Sequence, residues 1–136
     1  MRVASLYDIH ANPVALRAVL AELARERVDL IVIGGDAVPG PLPVSTIERP
    51  TACWAACASS THGSVGMPFE GRPGAYWALL GPDVRLRRTD YDIRAAEAEL
   101  RGGGWPGVDD FLRNSFMEPA DPLTVAEALE RRAQAA

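Results

Sequence analysis

The chain has 136 residues, 48% hydrophobic and 24% charged, a composition that suits one globular domain with enough apolar material for a core. Its net charge of −4 speaks against nucleic-acid binding, which leaves a basic footprint. No apolar run reaches the roughly 18 residues of a membrane span, and Asp8 and His10 break the N-terminal apolar stretch too early for a signal peptide, so a cytoplasmic protein is expected. All 14 basic residues are Arg, which reads as genome composition rather than function.

In chain order, Val3–Tyr7 is a short apolar run and Asp29–Ile33 is a second, both suited to buried strands of a parallel sheet. Between them lies a helix with clear boundaries. Asn12 can cap it, Pro13 holds its first position, and Leu16, Val19, Leu20 and Leu23 form one apolar stripe. Strand, helix and strand make a βαβ unit, which brings the carboxyl ends of both strands to one sheet edge. The second strand runs into "GGDAVPGPLP", residues 34–43. Residues 48–62, "ERPTACWAACASSTH", show no clear period, and their Cys53 and Cys57 read as reduced structural thiols, with a metal pair or a disulfide as alternatives. Residues 63–75 form a Gly- and Pro-rich loop. "YWALL" and "VRLRR", separated by Gly81-Pro82-Asp83, predict an antiparallel hairpin. Asp92–Arg101 predicts a helix with Ile93, Ala96 and Leu100 inward, stopped by Gly102–Gly104. A short helix over Val108–Asn114 follows. A last one starts at Asp121 and Pro122, with Val125, Ala126 and Leu129 on its stripe. The organisation is a single domain, 1–136, made of a block at 1–47, an unassigned junction at 48–62 and a block at 63–136.

The candidate chemistry lies in Asp8, His10 and Asp36. Carboxylate oxygen and imidazole nitrogen suit divalent ions such as Mn²⁺, Fe²⁺ or Zn²⁺. On an extended stretch, residues two apart point to the same side, so Asp8 and His10 could hold one ion together. Asp36, from the neighbouring strand, could bridge that ion to a second. Two ions about 3.5–4 Å apart generate hydroxide near neutral pH and clamp a phosphoryl group in in-line displacement. The competing readings are an Asp that caps a turn and a His that satisfies a backbone group.

"YDIHAN", then "GGDAVPGP" after an apolar strand, resembles the opening motifs of the calcineurin-like metallophosphoesterases, closest to the small bacterial phosphoesterases. Their first motif reads like "SDIHGN": Asp8, His10 and Asn12 match, and Tyr7 and Ala11 depart. "GSVGMPFEGRPGAYWALLGPDVRLRRTDYDI" resembles the family's C-terminal part, in which a Gly-Ser-Val-Gly loop precedes the closing hairpin. The resemblance spans residues 1–47 and 63–115, 100 of the 136. It implies an α/β fold, here a truncated metallophosphoesterase-like sandwich of an N-terminal βαβ unit with a C-terminal hairpin and helices. It also implies hydrolysis of small phosphomono- or diesters by a metal-activated water, with Mn, Fe, Zn or Ni held by Asp8, His10 and Asp36.

The family's remaining ligands, an Asn and further His residues, come from a middle region for which residues 48–62 are too short. The chain has two His in total, His10 and His62, so the full site cannot be assembled. His62 could be a substitute ligand, against the reading of an incidental loop residue. An enzyme and a catalytically inactive remnant or binding module of the family are the two readings. A nucleotide-binding domain is disfavoured, because no G-x-G-x-x-G loop follows the first strand. A haloacid-dehalogenase-type phosphatase would need a second Asp where His10 stands. A chain that lacks central strands is expected to pair its two blocks directly into a smaller mixed sheet or to cover its edges in a homodimer.

Overall fold

The computed structural model describes residues 1–37, 40 and 63–134, without the side chains of 114, 115, 129, 133 and 134. The readings placed on His62, on Cys53 and Cys57 and on the junction 48–62 therefore lie outside the described residues. Two strands and a helix form the N-terminal block: β1 (Val3–Tyr7), α1 (Pro13–Glu26) and β2 (Leu30–Gly34). β1 and β2 pair in parallel, with Val3 opposite Leu30 and Tyr7 opposite Gly34. The hairpin is β3 (Ala75–Leu80) and β4 (Val84–Thr89), antiparallel, with Trp77 opposite Arg87. β3 also lies antiparallel against β1, with Leu6 opposite Trp77, so the sheet order is β2-β1-β3-β4. Direct pairing of the two blocks into a small mixed sheet is thus what the chain adopts.

Side chains alternate across this sheet. Ala4, Leu6, Ile33, Trp77 and Leu79 share a buried cluster with Leu16, Val19 and Leu23 of α1. The predicted stripe is the face α1 buries, with Leu20 partly covered at its margin. On β4, Val84 and Leu86 are 70% and 69% exposed. A polar seam closes the α1 side. Trp77 Nε1–H donates to Thr89 Oγ1 (2.9 Å), whose hydroxyl donates to Glu22 of α1 (2.6 Å). Arg87 reaches Glu22 and Glu26.

The C-terminal part adds α2 (Ile93–Gly102), α3 (Val108–Leu112), a π-helical turn over Arg113–Met117 and α4 (Pro122–Gln134). Asp92 caps α2 by accepting the Ala95 N–H at 2.9 Å. Ala96, Leu100, Phe111, Leu112 and Phe116 form a second cluster, against which Val14, Met67, Tyr91 and Ile93 pack. Two expectations need correction. The helix over 108–114 ends at Leu112, because the chain widens into the π-turn that carries Phe116 inward. Of the stripe assigned to the last helix, Ala126 is exposed and Val125 only half-buried, Leu129 lies outside the described side chains, and the neighbouring Leu123 is 75% exposed.

Asn12 links the two clusters to the strand edge. It is fully buried, its Oδ1 accepts the Ala15 N–H (3.1 Å), and its Nδ2 donates to the Gly66 carbonyl (3.4 Å). Burial pushes the partly buried Tyr91 phenol above its ordinary range, opposed by a hydrogen bond with Asn12. Asn12→Ala removes the cap and leaves buried polar groups unpaired. It should cost about 1–3 kcal/mol in urea-induced unfolding.

Candidate functional site

Beyond their paired residues, β1 and β2 stay in step. Asp8 N–H donates to the Gly34 carbonyl (3.2 Å), His10 N–H to Asp36 (2.8 Å) and Ala11 N–H to Ala37 (3.0 Å). The resulting turn is strained, since Asp8, His10 and Ala11 all have φ near +50° (52°, 50° and 52°), the left-handed region that side chains disfavour. Strain of this kind persists only where the surroundings enforce it, and it gathers at functional sites. Gly35 (φ +65°) lies so close to Asp8 that a Cβ there would stand 2.0 Å from the carboxylate oxygen.

Three of the four candidate residues can be located. Asp8 Oδ1 accepts the backbone N–H of Asp36 at 3.0 Å, which ties the two strand ends together. Asp8 and His10 both line a cleft of about 230 Å³, together with Gly63, Ser64, Met67, Phe69 and Glu70. Asp36 reaches the same sheet edge, but its side chain is exposed and takes no part in lining the cleft. Among the described residues, no group of three or more His, Cys, Asp or Glu side chains is arranged to hold a metal ion.

The Gly-Ser-Val-Gly loop is held against the strand by the backbone. Val65 N–H donates to the Tyr7 carbonyl (2.9 Å), while Gly66 N–H (3.0 Å) and the Ser64 hydroxyl (2.8 Å) donate to the Asp8 carbonyl. Ser64 Oγ in turn accepts the Met67 N–H at 2.8 Å. Ser64 therefore shapes the loop, as its glycine neighbours suggested.

Glu70 is the cleft residue that sequence reasoning passed over. Its Oε2 is buried with no hydrogen-bond partner among the described residues. Burial holds its pKa above the ordinary carboxylate range, against the opposing effect of the Phe69, Glu70 and Ser64 backbone. An acid in the middle of a Gly- and Pro-rich loop carries no periodic signal, so only the folded loop reveals it.

No known family's sequence profile and no curated protein matches the chain. A solved structure does: a metallophosphoesterase from Sphaerobacter thermophilus, 18% identical, with a TM-score of 0.63. The superposition covers 82% of this chain and 97% of that one. The fold is metallophosphoesterase-like. At this identity the likeness speaks to architecture alone, a mixed α/β arrangement with a four-stranded sheet. Among the described residues, no helix is long and apolar enough to cross a membrane.

Proposed function

We propose that this chain is a metal-dependent phosphoesterase that acts on small phosphomono- or diesters in the Asp8–His10 cleft. The observation that carries the reading is the convergence of an acid and an imidazole on one cleft at the strand ends of a metallophosphoesterase-like fold. Two donors, Asp8 and His10, stand at the cleft, and among the described residues no group of three or more is arranged to hold an ion, so an ion bound there would keep most of its waters. The proposed ligands are Asp8 and His10, with Asp36 supplying a further acid at the edge and His62 a candidate from the chain beyond the described residues. When bound, such an ion supplies an activated water and a Lewis acid for the phosphoryl oxygens. The chain's own part is to fix the pair. The Asp36 N–H orients the Asp8 carboxylate, and the backbone ladder through residues 34–37 sets the turn that presents His10.

Hydrolysis of an aryl phosphate with Mn²⁺ tests this. Asp8→Asn should lower the rate about tenfold or more, roughly 1.4 kcal/mol of barrier, and Asp36→Asn should lower it less. A second reading, a catalytically inactive relative, is favoured by the lack of a three-residue donor cluster among the described residues. Equal background rates for the wild type and both variants would establish it.

A further inference from the structure

The strand that ends the sheet leaves one of its sides open. In the order β2-β1-β3-β4, β4 pairs with β3, and among the described residues nothing pairs with its other side. Hydrogen bonds fix the direction of its backbone groups. Gly81 N–H donates to the Asp83 carbonyl (3.0 Å), so Asp83 faces β3, and Tyr76 N–H, opposite Arg88, turns away from β4 to Ser64 (3.0 Å). These directions alternate in an antiparallel ladder, so Val84, Leu86 and Arg88 aim their N–H and C=O groups outward. The side chains alternate too. Arg87 points to α1, where it meets Glu22 and Glu26, which puts Val84 and Leu86 on the opposite face, 70% and 69% exposed. Leu80, opposite Val84, is 36% exposed and extends that apolar strip. An open edge that carries exposed apolar side chains is a template for another strand.

The residues of this strand fit it to a reversed copy of itself. We propose that two chains associate through β4, antiparallel about a twofold axis at Arg85, so that the sheet continues from one protomer into its partner. Outward-facing residues must oppose one another in such a pair, which leaves only every second register open. With Arg85 at the axis, Val84 lies opposite the partner's Leu86 and Leu86 opposite the partner's Val84. Each exposed apolar side chain then meets another. On the α1 face, Asp83 comes opposite the partner's Arg87, a pairing of opposite charges. The next register, with Leu86 at the axis, would set Val84 against the partner's Arg88. It would also oppose Arg85 directly to the partner's Arg87, a like-charge pair. Pro82 has no N–H to donate, which ends the ladder beyond Asp83 and keeps the contact short. A contact of this size belongs with weak, reversible associations. The inference does not depend on the phosphoesterase reading of the cleft.

Sedimentation of the whole chain over a range of concentrations tests the association, and two variants test the register. The wild type should show a concentration-dependent equilibrium between monomer and dimer. Leu86→Lys removes both apolar pairs and should weaken dimerisation about tenfold or more. Arg85→Cys brings two thiols together at the axis. They lie in a non-hydrogen-bonded pair with Cα atoms about 4.5 Å apart, within the range of a disulfide. Oxidised glutathione should therefore link this variant into a dimer, with peptide mass spectrometry placing the bond between the two introduced thiols. A chain that stays monomeric up to about 1 mM would overturn the proposal. So would a dimer as tight in Leu86→Lys as in the wild type, or introduced thiols that stay unlinked or link only to Cys53 or Cys57.

Discussion

Trp77→Ala should destabilise the fold by about 3–5 kcal/mol, enough to consume much of the ~5–15 kcal/mol typical of a domain. Trp77 is completely buried at the centre of β3, opposite Leu6 of β1 and Arg87 of β4. Its ring fills the space between sheet and α1, and the Arg87 guanidinium lies 5.5 Å from the ring centroid. Truncation opens a cavity and also removes the indole donor from Thr89. Trp77→Phe separates the two effects. It keeps most of the apolar volume and should cost less, about 1–3 kcal/mol, chiefly for the buried Thr89 hydroxyl left without its donor. Urea unfolding measures both. An alanine variant within about 1 kcal/mol of the wild type would contradict the placement of β3 beside β1.

Gly66→Ala should disrupt both the fold and the cleft. A Cβ at this position would stand 1.7 Å from the Ile9 carbonyl oxygen and 3.2 Å from the Asn12 Cβ, so backbone rather than a flexible side chain must move. The displaced loop loses the Gly66 N–H bond to the Asp8 carbonyl and the Asn12 bond to the Gly66 carbonyl. The expected cost is about 1–3 kcal/mol for the forced shift, with the lost bonds in addition. Faster amide exchange at Val65 and Gly66 should accompany the lower melting temperature. Gly102→Ala is the control. It closes α2, nothing lies within 4 Å of the added methyl, and alanine suits a helix better, so that variant should be as stable as the wild type or more so. Equal behaviour of the two alanine variants would mean that the loop does not sit against the strand end.

Much of this architecture was legible in the residues, for reasons that particular elements make clear. β1 and α1 carry strong local signals: a short, largely apolar run, an Asn cap, a Pro at the first helical position and a four-residue stripe. The structure keeps each of them, with the Asn12 cap bond formed. The hairpin was readable because Gly81-Pro82-Asp83 interrupts two strand-like runs. The last helix misled in part, because Ala126 satisfies the period yet is exposed; burial depends on tertiary contacts that spacing does not encode. The placement of two candidate residues was legible too. Two side chains two positions apart were expected on one side, and Asp8 and His10 do line one cleft, although through left-handed turn geometry rather than extended strand. Ala11 has φ +52°, a conformation in which glycine is easier, and it occupies the position where the resembling motif reads Gly. Asp36 was expected to offer its carboxylate, whereas its described hydrogen bonds with the Asp8–His10 turn come from its backbone. Glu70 was invisible, since its significance arises only when a loop distant in sequence folds over the strand end.

The most direct measurement is a crystal structure of the chain soaked in Mn²⁺, with anomalous scattering recorded at the manganese edge. One peak should lie in the cleft within direct bonding distance of the Asp8 carboxylate and the His10 imidazole. A map without a peak at that strand edge, or with manganese bound only elsewhere on the surface, would contradict the assignment of the cleft as a metal-dependent site.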